Sequence, residues 1–162
     1  MVTVITGPIN SGKTTRIQEI YKNLKSGDGF ASIKNMESSQ VKGFDVMRLS
    51  TGETKPFIRR SGEQPGGWRE NCTLGPYTIS DEVIKWVNRE ISKLAESDTE
   101  SILLDEIGIL EIEGKGFSKA LITMLGSEKD IFITTRDENL DSVITQFGIA
   151  DAGIVVTGER YA

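Results

Sequence analysis

The sequence predicts an α/β fold: a three-layer sandwich whose mostly parallel sheet carries a small antiparallel hairpin insertion, in one domain over residues 1–162. Three observations predict it. Short apolar runs at 2–6, 102–104, 131–133 and 154–156 alternate with stretches of helical periodicity, the pattern of strands buried on both faces and joined by crossover helices. The segment 30–60 interrupts that rhythm with strand-like runs around a turn, which reads as a hairpin. A glycine-bearing turn, GPINSGKTT at 7–15, separates the first strand from the first helix.

The elements follow in order. Val2 to Thr6 form a buried strand. Ile17, Ile20, Tyr21 and Leu24 then recur at one helical face, and Gly27 reads as a left-handed cap. A short strand is expected near 30–34. Gly43–Leu49 and Pro56–Arg60 are expected to pair across the turn Ser50-Thr51-Gly52-Glu53. Residues 61–76, SGEQPGGWRENCTLGP, read as one long loop because of their glycine and proline content. Ser80 caps a helix whose first turn carries Asp81 and Glu82, favourable at the positive helix end. Its buried stripe is Val83, Val87, Ile91 and Leu94. A helix near 117–125 buries Phe117, Leu121, Met124 and Leu125, and a further one carries Leu140, Val143, Ile144 and Phe147.

Composition narrows the chemistry. A chain of 162 residues with 37% apolar and 27% charged residues suits one soluble domain. A net charge of −5 makes nucleic acid an unlikely partner, since nonspecific binding needs basic surface. One cysteine, Cys72, excludes an internal disulfide or a multi-cysteine metal site and fits a reducing cytoplasm. No histidine is present, so catalysis falls to carboxylates, lysines, arginines, hydroxyls and backbone amides. No apolar run approaches the ~18–20 residues of a membrane span, and the N-terminus has no signal-like basic segment.

Right-handed crossovers bring the C-terminal ends of the core strands to one edge, where ligands of open α/β sheets bind. Those ends carry residues 7–14, 105–106, 134–136 and 157–158. Gly7, Gly12, Lys13 and Thr14 match G-x-x-x-x-G-K-[ST]. In such a loop the glycines let successive amides point at phosphate oxygens, and the following helix adds its positive end. The loop therefore nominates Gly7, Pro8, Ile9, Asn10, Ser11, Gly12, Lys13, Thr14 and Thr15 for the nucleotide phosphates. Lys13 reaches the β- and γ-phosphates, and the Thr14 hydroxyl serves Mg²⁺. The strand ILLDEIG places Asp105 beside the loop as a second metal residue, acting through the ion's water shell, and Glu106 as the group that polarises water. Together these parts read as a P-loop NTPase of Rossmann-like architecture.

The phosphate loop followed by Asp105-Glu106 resembles the P-loop ATPase division with an added catalytic glutamate. The longer run LLDEIGILEIEGKGF resembles the small nucleoside-triphosphatases first known from thermophiles, the cancer-related nucleoside-triphosphatase family. GFDVMRLSTGET at 43–54 and LGPYTISDEV at 74–83 are similar to further stretches of that family. The resemblance implies Mg²⁺-dependent hydrolysis of nucleoside triphosphates such as ATP and GTP to diphosphate and phosphate, without strict base choice. The loop departs from the family's usual Gly-x-Pro-Gly-x-Gly-Lys-Thr by Pro8-Ile9-Asn10-Ser11, a form also similar to thymidine-kinase loops. A nucleoside or nucleotide kinase is thus one alternative, although a single cysteine cannot build the zinc ribbon of those kinases. A nucleotide-gated switch with slow hydrolysis is the other.

Further residues have two readings each. Arg136 either stabilises charge on the γ-phosphate as a catalytic group or caps a surface loop. Thr134 or Thr135 either orients the attacking water or fills the strand end. Arg59 and Arg60 either swing over phosphates or end a strand in solvent, the second being preferred. Trp68 either stacks on a base or anchors its loop. Trp86 reads as core packing, and Cys72 as incidental. Glu111, Asp137 or a base in the long loop is next should Glu106 not serve.

Overall fold

The computed structural model describes residues 1–158. Strand β1 (Val2–Gly7) leads through the glycine turn into helix α1 (Lys13–Asn23). Strand β2 (Gly27–Glu37) then opens a run of antiparallel neighbours: β3 (Gln40–Arg48), β4 (Thr54–Arg60), β5 (Glu70–Leu74) and β6 (Tyr77–Ser80). Helix α2 (Asp81–Glu96) returns the chain to β7 (Ser101–Leu104). Two helices, the short α3 (Ile109–Ile112) and α4 (Ser118–Leu125), precede β8 (Asp130–Arg136). A 3-10 turn at Asp137–Asn139 and helix α5 (Leu140–Gln146) lead to β9 (Gly153–Val156).

The described strands form one nine-stranded sheet in the order β5-β6-β4-β3-β2-β7-β8-β1-β9. Strands β2, β7, β8, β1 and β9 are mutually parallel. Strands β3, β4, β6 and β5 add antiparallel to the far edge of β2. The sheet is therefore mixed, not mostly parallel with a small hairpin. The reason lies in β2. It pairs with β7 only through Gly27–Phe30, then continues to Glu37 and folds back on itself through β3. The later strands join through short turns except across 61–69, and helix α2 covers the wing.

Alternation along the central strands divides the core between two faces. Ile5 and Leu103 pack with Ile17 of α1 on one face. Val4, Ile102 and Ile133 face the larger cluster under α2, α4 and α5. Trp86 lies in that cluster, edge-on to Phe30 with centroids 5.0 Å apart, as core packing requires. Ser80 caps α2 as expected, its hydroxyl accepting from the Val83 amide.

Three local expectations are corrected. Gly27 is no helix cap: α1 stops at Asn23 because Leu24 turns extended, with φ −80° and ψ 141°, and packs on the Ile5–Leu103 cluster. Residues 61–76 are not one loop. Glu70–Leu74 and Tyr77–Ser80 pair across Gly75-Pro76, so only 61–69 connects. Within that connection the Trp68 indole donates to Thr78 Oγ1 at 3.1 Å, an anchoring bond. Arg59 is not a solvated strand end. It is 5% exposed, donates to the carbonyls of Phe44 and Ile58, and contacts Asp45 Oδ1 at 2.6 Å. Arg60, by contrast, is exposed. Removing one partner of a buried pair strands the other. Arg59→Ala is expected to destabilise the protein by on the order of 3 kcal/mol in urea unfolding; a change below about 0.5 kcal/mol, the size of an ordinary surface substitution, would contradict this role.

Candidate active site

Parallel pairing brings the strand ends together. Gly7 is in register with Arg136 across β1 and β8, and Thr6 with Thr135. Leu104 faces Ile133 across β7 and β8, so Asp105 emerges beside Thr134.

The turn between β1 and α1 has the conformation its sequence demands. Gly12 sits at the start of α1 with φ 89°, a left-handed setting that favours glycine. At Gly7 a Cβ would come within 2.5 Å of Thr157 Oγ1 and 2.6 Å of Ser11 Oγ, so only glycine fits. Asn10 also takes a left-handed φ of 58°. Ile9 projects at the tip, 60% exposed. Thr15 is the third residue of α1 and is exposed. From the end of β9, the strand next to β1, Thr157 closes on this turn: its hydroxyl lies 2.7 Å from that of Ser11, and its amide donates to the Thr6 carbonyl at 2.8 Å.

Lys13 is buried and folds back into the turn, donating to the carbonyls of Pro8 at 2.7 Å and Gly7 at 3.1 Å. Burial pulls its pKa down; Glu106 pushes it back up, Arg136 pulls it down and Asp105 raises it. Asp105 is buried and fully engaged. Thr14 Oγ1 donates to its Oδ2 at 2.7 Å, the Ser32 amide to the same oxygen at 2.9 Å, and Thr134 Oγ1 to Oδ1 at 2.5 Å. Burial raises its pKa, and those bonds work against the rise. The hydroxyl of Thr134 also accepts from the Glu106 amide at 2.8 Å. Thr134 thus fixes the two acids and has no proton left for a water. Thr135 is buried, and its hydroxyl has no hydrogen-bond partner among the described residues.

Glu106 has a φ of 62°, a costly setting for a residue with a Cβ, and its side chain opens to solvent. Burial of the recess and the Asp105 charge raise its pKa, while Lys13, Arg136 and Lys34 lower it. Arg136 is exposed at the end of β8, 3.8 Å from Glu138. Lys34 was not legible as a site residue. It projects from β2 beyond the stretch paired with β7 and donates to the side-chain carbonyl of Asn10.

Glu111, one turn beyond, is buried and accepts from the Gly108 amide at 3.1 Å and the Phe117 amide at 3.4 Å. Burial pushes its pKa up to about 8. It is a structural acid, tied into its own turn. Because its folded pKa is raised, its contribution to stability is complete below the usual value of 4.5 and lost as pH rises through about 8. Unfolding free energy relative to Glu111→Gln is therefore expected to decline between pH 5 and pH 9. A constant difference across that range would overturn the assignment.

Among the described residues no group of three or more His, Cys, Asp or Glu is arranged to hold a metal. The site offers instead one carboxylate and one hydroxyl in contact, Asp105 and Thr14, oxygen donors of the kind Mg²⁺ takes together with waters and substrate phosphates.

A family model described as NTPase matches residues 2–157. The chain belongs to that NTPase family. Within it, the cancer-related nucleoside-triphosphatase homolog of Mus musculus is 30% identical over 139 residues, covering 81% of this chain and 72% of that protein. Nucleoside-triphosphatase THEP1 of Thermotoga maritima is 26% identical over 136 residues, covering 84% of this chain and 74% of that protein. The crystal structure of THEP1 from Aquifex aeolicus superposes with a TM-score of 0.71 at 19% identity, over 97% of this chain and 90% of that one; this likeness concerns the fold. The resemblance read from LLDEIGILEIEGKGF is borne out by the family match. No helix among the described residues of this NTPase-family chain is long and apolar enough to cross a membrane.

Proposed function

We propose that this NTPase-family protein hydrolyses ATP, GTP and other nucleoside triphosphates to diphosphate and phosphate, using Mg²⁺, in the cytoplasm. The observation that carries the reading is the Thr14–Asp105 contact at 2.7 Å, which ties the phosphate loop to the acid strand end with Glu106 next in sequence. The chain's own groups divide the work. Backbone amides of the Gly7–Thr14 loop other than Pro8, with the positive end of α1, hold the phosphates. Lys13 leaves the loop carbonyls for the β- and γ-phosphate oxygens. Thr14 and Asp105 would hold Mg²⁺, which when bound neutralises charge on those oxygens. Glu106 accepts a proton from the attacking water at its carboxylate, and Arg136 offers a cation to the charge developing on the γ-phosphate.

Phosphate release from several triphosphates, with and without a panel of nucleosides and nucleotides as acceptors, tests the reading. Release independent of any acceptor is expected. Negligible release without acceptor, together with a phosphorylated acceptor when one is supplied, would replace hydrolysis by a kinase reaction.

A further inference from the structure

The hairpin that makes the sheet mixed also enters the site. Strand β2 stays in register with β7 only as far as Phe30–Leu104. The Asp105 amide then donates to the Phe30 carbonyl, and the Ser32 amide turns to the Asp105 carboxylate. From Ser32 onward β2 pairs with β3 alone, so the hairpin rises past the sheet edge that carries the phosphate loop. Lys34 lies two residues beyond Ser32, hence on the same side of the strand.

At that position Lys34 is exposed, pairs with no carboxylate among the described residues, and bonds instead to Asn10 Oδ1 at the crest of the loop. A lysine spends little to leave a neutral amide for a phosphate, since its charged donor bonds more strongly to an anion. Its charge also reaches Glu106. Lys13 approaches the same mouth from inside the loop, through Gly7 and Pro8.

We propose that Lys34 is a further γ-phosphate cation beside Lys13 and Arg136, carried by the β2–β3 hairpin and parked on Asn10, which moves to the terminal phosphate of a bound triphosphate and stabilises the charge that builds there during hydrolysis. This rests on the triphosphate site at Gly7–Thr14. The contact falls on the γ-phosphate only, so it distinguishes triphosphate from diphosphate and does nothing for the rest of the nucleotide.

Lys34→Ala, Lys34→Arg and Lys13→Ala are to be compared with wild type. Affinities for Mg²⁺ with β,γ-imido-ATP and for Mg²⁺ with ADP are measured by calorimetry, and kcat and KM by ATP turnover. Lys34→Ala is expected to bind ADP as wild type does, bind the imido-triphosphate about 10–100-fold more weakly, and turn over at least about 10-fold more slowly; Lys34→Arg restores most of both. Unchanged turnover with an unchanged triphosphate-to-diphosphate affinity ratio in Lys34→Ala overturns the proposal while leaving the site intact. A wild-type protein that binds neither nucleotide, with Lys13→Ala indistinguishable from it, overturns the site and this proposal together.

Discussion

Glu106→Gln is expected to lower kcat by about 10²–10⁴-fold, the span of a lost general base, with triphosphate affinity within a few-fold of wild type. Glutamine keeps the shape of the side chain and suits the left-handed backbone as well as glutamate does, so the φ of 62° is not a new source of strain. The Glu106 amide, which donates to Thr134, is untouched. What disappears is an acceptor for the water's proton. Because that transfer matters in the transition state, binding should hardly change. Single-turnover hydrolysis beside a binding titration on one preparation gives the comparison. A mutant at near wild-type rate would remove Glu106 from the chemistry and leave Asp137, whose charge reaches Lys13, as the next base. Glu111 is excluded from that succession by its burial between the Gly108 and Phe117 amides.

Lys13→Ala is expected to weaken triphosphate binding by about 1.5–3 kcal/mol, the worth of a charge-assisted hydrogen bond, and to reduce turnover to near background. The reason is visible in the bonds it makes. Its ammonium is held by the carbonyls of Gly7 and Pro8, inside the turn that the phosphates would occupy, and is exchanged to them with little travel. A folded Lys13→Ala protein, checked by circular dichroism and thermal melting, that retained both affinity and rate would take Lys13 out of the site.

The parallel half of the fold was legible because its strands are continuous apolar runs; Ile102-Leu103-Leu104 has one reading only. The turn at Gly7–Thr14 and the place of Asp105 beside it were legible because each follows such a strand. The antiparallel wing was not. Gly75-Pro76 looked like part of a loop, yet Cys72-Thr73-Leu74 and Tyr77-Thr78-Ile79 flank it as a hairpin, and their alternation was the available signal. Arg59 misled because a charged residue beside a loop usually faces water; its burial depends on Asp45, a partner 14 residues away on β3. Lys34 carried no motif at all. Its place follows from how far β2 outruns β7, a fact of tertiary pairing. The role read for Thr134 was altered by its neighbours: the hydroxyl is spent on Asp105 and Glu106.

The meeting of Ser11 with Thr157, 146 positions apart, bears on how the protein is made. Emergence from the ribosome proceeds from the N-terminus, so the turn that begins at Gly7 is made well before Thr157 and waits for it. Strand β9 must pair with β1 before Thr157 can close on the turn, and contacts of such long sequence separation form slowly because the intervening chain must first be ordered. Completion of the Gly7–Thr14 turn is accordingly late relative to the formation of α1. Acquisition of affinity during synthesis should coincide with arrival of β9, well after α1 and the wing have become compact.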